Sequence, residues 1–232
     1  MLDRIEIIKH FHEAIEQGSR YDDPYLLYSF SPFAEDLYKK ILANLPPDEA
    51  YMELRHGDAI RSDGTSSRLV FPLKQERIRP TFAGEAREFW LDFSDILRDA
   101  ALRDLFKRAL EPELRKRFRA PVAEITALPA PMLMRDLGQY RIRIHPDIDA
   151  KVITSQYYLP QDNSQRHLGT SIYRRRPEGK FEFVRKIEFM PRAAYCFAVS
   201  KESWHAVDPI AAGETPRNSI MLIYFRLAGI DY

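Results

Sequence analysis

The feature that most constrains this chain is a change of hydrophobic period near residue 120, where helical spacing gives way to short alternating runs. Leu2 to Gln17 carries Ile5, Ile8, Phe11, Ala14 and Ile15 at helical intervals and stops at Gly18. Ser31-Pro32-Phe33-Ala34-Glu35 predicts a second helix with Ser31 as N-cap and Pro32 in the first position, running to about Asn44 before Pro46-Pro47. Glu35 and Asp36 add negative charge where the helix dipole favours it. A third helical region covers Phe93 to about Leu110, with Leu97, Leu102, Leu105 and Phe106 in its apolar stripe. Pro112 either ends that helix or opens a short one through Leu114 to Phe118. Between these, Tyr51 to Pro80 reads as loop around Gly57 and Gly64, with Leu69-Val70-Phe71 as a short strand.

From Val122 onward the elements are strands. Tyr140 to Ile144 alternates polar and apolar residues. Val152 to Leu159, Phe181 to Phe183, Tyr195 to Val199 and Ser219 to Leu227 are rich in β-branched and aromatic residues. Turn signals separate them at Pro160 to Asn163, Pro177 to Gly179, Pro191-Arg192 and Gly213 to Pro216. Helices first and strands afterwards predict an α+β protein whose chemistry sits in an antiparallel sandwich or barrel. At 232 residues the chain suits a single domain, with 1–120 a mainly helical support and 121–232 the barrel core.

Composition narrows the function classes. Thirty-five Lys and Arg against 34 Asp and Glu leave no polybasic field to hold nucleic acid or an anionic membrane. Arg174-Arg175-Arg176 is a local exception, read as a solvated turn. One cysteine, Cys196, permits neither an intrachain disulfide nor a thiolate cluster, and its apolar run predicts a buried hydrophobe. Met1 to Gln17 is charged throughout, unlike a signal peptide, and no run has the length of a membrane span. These features predict a protein of the reducing cytoplasm.

Three motifs in the second half belong together. In His145-Pro146-Asp147, residues two apart on an extended segment share a face, about 6–7 Å apart along the strand, so imidazole and carboxylate can meet on one metal ion. Asp149 shares that face but lies about 13 Å from His145 in extended chain, which selects Asp147. Alone, such a triplet is commonly a turn or a capping aspartate. His205 follows the apolar strand Tyr195 to Val199 after a short polar turn; two histidines and one carboxylate make a facial triad with coordination positions left open. Arg217-Asn218-Ser219 opens a third motif, with Arg217 and Ser219 on one face of an apolar strand. An arginine turned into a barrel needs an anionic partner, and a guanidinium grips a carboxylate in bidentate fashion. Set apart from the other two, it reads as a solvated arginine at a strand entrance.

The order of these motifs, His-x-Asp, a gap of about fifty to sixty residues, His, and Arg-x-Ser about a dozen later, resembles the iron(II)/2-oxoglutarate-dependent dioxygenase superfamily. Lys151 to Thr154 and Tyr157-Tyr158-Leu159-Pro160 look like the strand after His-x-Asp in its prolyl-hydroxylase-like branch. Leu168 to Tyr173, Phe197 to Val199 and the stretch from Pro32 to Pro47 are similar to segments of other members. The resemblance implies a double-stranded β-helix, a jelly-roll or cupin-like barrel with helices packed outside. It implies iron(II), 2-oxoglutarate and O2 as cofactor and cosubstrates, with His145, Asp147 and His205 as iron ligands. Arg217 would pair with the distal carboxylate of 2-oxoglutarate, aided by Ser219 and Tyr158, with Thr154 a lesser candidate. The implied reaction releases succinate and CO2 while oxidising, in the first instance hydroxylating, a small molecule or biosynthetic intermediate.

Arg141 and Arg143, on the strand face of His145, and His167 in the Gln161 to Gly169 loop are the candidates for substrate contact, and the arginines hint at an anionic substrate. Two other classes compete. A non-catalytic jelly-roll binding module would turn Arg217 to solvent or to an internal acid. A cupin-type dioxygenase without 2-oxoglutarate has no use for Arg217-Asn218-Ser219.

Overall fold

A computed structural model of the chain describes residues 2–227. Six α-helices occur among them: α1 (Arg4–Gln17), α2 (Glu35–Ala43), α3 (Gln75–Thr81), α4 (Gly84–Leu97), α5 (Ala100–Ala109) and α6 (Glu111–Phe118). Twelve strands accompany them. The first half of the chain supplies β1 (Ser19–Tyr21), β2 (Leu27–Phe30), β3 (Met52–Glu53) and β4 (Arg68–Pro72). The second half supplies β5 (Leu128–Asp136), β6 (Ile142–His145), β7 (Lys151–Tyr158), β8 (Thr170–Arg175), β9 (Phe181–Ile187), β10 (Ala194–Ala198), β11 (His205–Val207) and β12 (Arg217–Phe225).

Local signals explain three of the six helix starts among the described residues. The Asp3 carboxylate caps α1 by accepting from the Glu6 amide at 3.0 Å, and Ile7, Phe11 and Ile15 form its buried stripe. The region expected as one helix from Phe93 to Leu110 is two, because Asp99 starts α5 by capping the Ala101 amide at 2.7 Å. Pro112 sits in the first turn of α6, the second of the two alternatives its position allowed. α2 begins at Glu35 rather than Pro32. Pro32 and Phe33 are buried outside the helix, Phe33 lying 5.9 Å from the rings of both Phe11 and Phe93, so packing holds the expected first turn open.

The strands form an eight-stranded antiparallel sheet, ordered β1-β2-β10-β7-β12-β5-β4-β3, and a four-stranded one, ordered β6-β11-β8-β9. The fold is therefore α+β with antiparallel sheets. The first half of the chain is more than a helical support, since β1 to β4 extend both edges of the large sheet. β5 was hidden by Pro129 and Pro131; β4 pairs only with Met132 to Asp136, so these prolines withhold no amide from that neighbour.

Alternation along each strand divides the large sheet between two cores. Tyr157, Cys196, Ile220, Leu222 and Tyr224 face the helices, in one cluster with Phe11, Trp90, Phe93 and Phe106. Tyr158, Tyr195 and Phe197 face the other way and cluster with Ile172, Ile187 and Val207 of the small sheet. The polar residues of interest lie on this second face, between the sheets. Phe11 joins the helical layer to the sheet, with ring centroids 5.7 Å from Tyr157 and 6.4 Å from Phe106. Phe11→Ala is expected to lower the free energy of unfolding by about 3–5 kcal/mol, read from urea denaturation followed by circular dichroism.

Candidate metal centre and its buried arginine row

β6 and β11 are neighbours, and their register sets His145 directly opposite His205, with ring centroids 4.4 Å apart. Each ring is turned by its own chain. Nδ1 of His145 lies 2.9 Å from the carbonyl oxygen of Arg143, and Nδ1 of His205 lies 2.9 Å from that of Ser203. A carbonyl only accepts, so Nδ1 must carry the hydrogen and Nε2 keeps its lone pair. Both histidines are thus locked in the tautomer that presents Nε2 as a ligand. Asp147 follows two residues after β6, and one ligand atom from each of the three residues falls within 4.8 Å of the others. Asp149 is elsewhere: its side chain is 77% exposed and stands 3.8 Å from Arg117.

The Asp147 carboxylate is nearly buried and tied down. Oδ1 meets the Lys151 ammonium at 2.5 Å and Oδ2 accepts from the Thr154 hydroxyl at 2.7 Å. Carboxylate oxygens offer about four lone-pair directions, so two remain for a cation. Thr154 therefore supports Asp147 and does not stand beside Arg217. Burial pushes the Asp147 carboxyl up, but Lys151, His205 and the Thr154 hydrogen bond outweigh it and hold the group well below the usual carboxylate range. Burial lowers both imidazoles against the pull of Asp147, His205 to about 4. Two neutral imidazoles and an ionised carboxylate are the donor states that a divalent cation such as iron(II) requires.

A second polar group lies further along the inner face. Register places Arg68 of β4, Asp136 of β5 and Arg217 of β12 side by side in one cross-strand row. Arg217 is 0% exposed. Its Nη1 donates to Asp136 Oδ2 at 2.8 Å and its Nε to the Leu168 carbonyl at 2.7 Å. Arg68 grips the same carboxylate, Nε to Oδ1 at 2.6 Å and Nη2 to Oδ2 at 3.2 Å. The anionic partner expected for Arg217 is thus, in the protein alone, an internal acid. That acid is shared by two guanidiniums, so the row keeps one positive charge in excess.

The other expected cosubstrate residues lie beside Arg217 and are held chiefly by other neighbours. The Tyr158 ring lies 5.1 Å below the guanidinium, while its hydroxyl donates to Thr170 Oγ1 at 2.8 Å. Ser219 is buried beside Tyr158 in the register, and its hydroxyl accepts from Gln156 Nε2 at 2.8 Å. Gln156 in turn accepts from the Tyr195 hydroxyl at 2.7 Å. Gly169 lets β8 approach this corner, since a Cβ there would lie 2.0 Å from the Ile187 carbonyl oxygen.

The expected substrate contacts do not converge on the triad. Arg143 is exposed and paired with Asp58 at 2.7 Å, Arg141 is exposed, and His167 is 58% exposed beside Glu214. Sequence reasoning passed over Arg68, Asp136, Tyr140 and His56. Arg68 lies 4.4 Å over the Tyr140 ring, and the Tyr140 hydroxyl and His56 Nε2 are buried with no hydrogen-bond partner among the described residues. Alternation of Arg68, Val70 and Pro72 was a usable signal for the first; Asp136 acquires meaning only from register.

Lowering the pH should destabilise the metal-free protein through His205. The unfolded imidazole titrates near 6.5 and the folded one near 4, so between these values the unfolded chain binds the extra proton and folding weakens as pH falls. The contribution is complete above 6.5 and lost by about 4, whereas Asp147 stays ionised across that window. Urea titrations at pH 7 and 4.5 should show wild type losing about 2–3 kcal/mol more than His205→Asn.

No protein-family model and no curated protein matches the sequence. Solved structures do match. A prolyl hydroxylase from Trichoplax adhaerens, solved with a hypoxia-inducible-factor peptide, gives a TM-score of 0.54 at 15% identity, covering 96% of this chain and 92% of that one. An oxidoreductase of the 2OG-Fe(II) oxygenase family from Burkholderia pseudomallei gives 0.51 at 12% identity, covering 98% and 92%. A prolyl-4-hydroxylase from Pseudomonas putida gives 0.50 at 17% identity, covering 87% and 92%. At these identities the likeness is one of architecture: the chain has the fold that prolyl hydroxylases share with other 2OG-Fe(II) oxygenase-family proteins.

Proposed function

We propose that this protein is an iron(II)- and 2-oxoglutarate-dependent oxygenase, a double-stranded β-helix that hydroxylates a small molecule. The observation that carries the proposal is the convergence of His145, His205 and the Asp147 carboxylate, in the protonation states a divalent cation needs, in the same interior as a buried arginine row with excess positive charge.

The residues fit the absent groups. His145, Asp147 and His205 would hold iron(II) on one side and leave its other positions open. Bound iron would supply oxygen activation, coupled to decarboxylation of 2-oxoglutarate to succinate and CO2. The chain's own work is positional. Lys151 and Thr154 fix the Asp147 carboxylate, the Arg143 and Ser203 carbonyls fix the imidazoles, and Tyr158, Phe189 and Phe197 wall the interior against water. Arg217, with Ser219 and Tyr158 around it, is the group for the distal carboxylate. With Arg143 held by Asp58 on the outside, the anionic hint loses its support. No helix among the described residues is long and apolar enough to cross a membrane.

Asp136 supports a second reading, a barrel that binds a ligand without chemistry, because Arg217 already has an internal acid. One experiment separates the two. With iron(II) and oxygen, wild type should convert 2-oxoglutarate to succinate even without prime substrate, and Asp147→Ala should lower that rate at least about 100-fold. A wild type that forms no succinate and takes up no iron would sink the oxygenase.

A further inference from the structure

Resting on the oxygenase reading, we infer that Arg68, delivered by β4 from the first half of the chain, is a second positioning cation of the seat for the distal carboxylate, and that Asp136 sets the seat's net charge at plus one.

Three observations converge on this. The first is charge. Arg68, Asp136 and Arg217 adjoin in one row; Asp136 and Arg217 are fully buried and the Arg68 side chain is 12% exposed. Two guanidiniums and one carboxylate leave a single uncompensated positive charge, which an apolar interior tolerates poorly. A ligand bringing one carboxylate completes the balance; a neutral group would not, and two carboxylates would overshoot. The second is unpartnered polar atoms. The Tyr140 hydroxyl, in the ring on which Arg68 lies at 4.4 Å, has no partner among the described residues, and neither has His56 Nε2, whose ring is 6.4 Å from that of Tyr140. By contrast the Tyr158 hydroxyl is already engaged by Thr170. Buried polar atoms without partners mark where a polar ligand, or water in its place, belongs. The third is position. Tyr140, whose ring Arg68 covers, shares a buried cluster with Phe197, and the Phe197 ring lies 5.2 Å from that of His205, so one apolar wall links the triad to Arg68. A 2-oxo acid held at the triad would extend its far carboxylate towards it.

Asp136 then has a use beyond neutralisation. It holds both guanidiniums in place before the ligand arrives, which reduces the ordering that binding would otherwise require. Removing Arg68 leaves Asp136 and Arg217 as a balanced pair with no attraction for an anion. Removing Arg68 and the Asp136 charge together restores a net charge of plus one on Arg217.

The test is calorimetric binding of 2-oxoglutarate, without oxygen, to protein loaded with cobalt(II), whose visible absorption reports metal uptake separately. Arg68→Met should bind 2-oxoglutarate at least about 30-fold more weakly than wild type. Arg68→Met/Asp136→Asn should recover most of that loss. Cobalt uptake should be equal in all three, and 2-oxobutyrate, which lacks the distal carboxylate, should not distinguish them. Equal 2-oxoglutarate affinity in wild type and Arg68→Met would overturn the inference, as would a double variant no better than the single. If Arg68→Met does not fold, the double variant decides: near wild-type binding supports the charge count and lost binding overturns it. A wild type that takes cobalt but not 2-oxoglutarate would remove the oxygenase reading itself and this inference with it.

Discussion

The central pairing of β12, with β5 on one side and β7 on the other, is the constraint on which the rest depends. It runs through the middle of the large sheet and forces alternate residues to opposite faces. Ile220, Leu222 and Tyr224 anchor the helical layer, while Arg217 and Ser219 are carried between the sheets. A one-residue slip would exchange these sets, placing a guanidinium in the apolar core and stripping the interior of its charge. The helices contribute mass and dryness; the register contributes chemistry.

The electrostatics of the interior are costly by design. Two imidazoles kept neutral, a carboxylate kept ionised and an Arg–Asp–Arg row are groups that apolar residues of similar volume could replace with equal or greater stability. Their cost is spread over local supports. Each histidine leans on a carbonyl two residues back in the chain, Asp147 on Lys151 and Thr154, and Arg217 on Leu168 and on two aromatic rings at 5.1 Å. Such strain on folding is reasonable only where a ligand will use it, which is why the metal triad and the row are best understood together.

The prolines and glycines do quieter work. Pro129 and Pro131 let β5 run beyond its neighbour β4, and Gly169 allows the β8 corner to close on β9, bringing Leu168 and Thr170 to Arg217. None of this is visible as a motif. A proline in a strand reads as a break, and a glycine in a polar loop reads as a turn, until the neighbouring strand is known.

By itself the sequence determined the class of elements, the two-residue spacing that puts His145 and Asp147 within reach of one ion, and the presence of an arginine on an apolar strand, because periodicity and spacing are local properties. It also held the capping aspartates Asp3 and Asp99 that start two helices, a role that neither the apolar spacing from Leu2 nor that from Phe93 singles out. Only the tertiary structure decided which strands adjoin. That placed His205 opposite His145, turned Thr154 to Asp147, sent Arg143 outward to Asp58, and set Arg68 and Asp136 in line with Arg217. Those partners lie 68 and 81 residues from Asp136 along the chain, and no local pattern encodes a register formed across such separations.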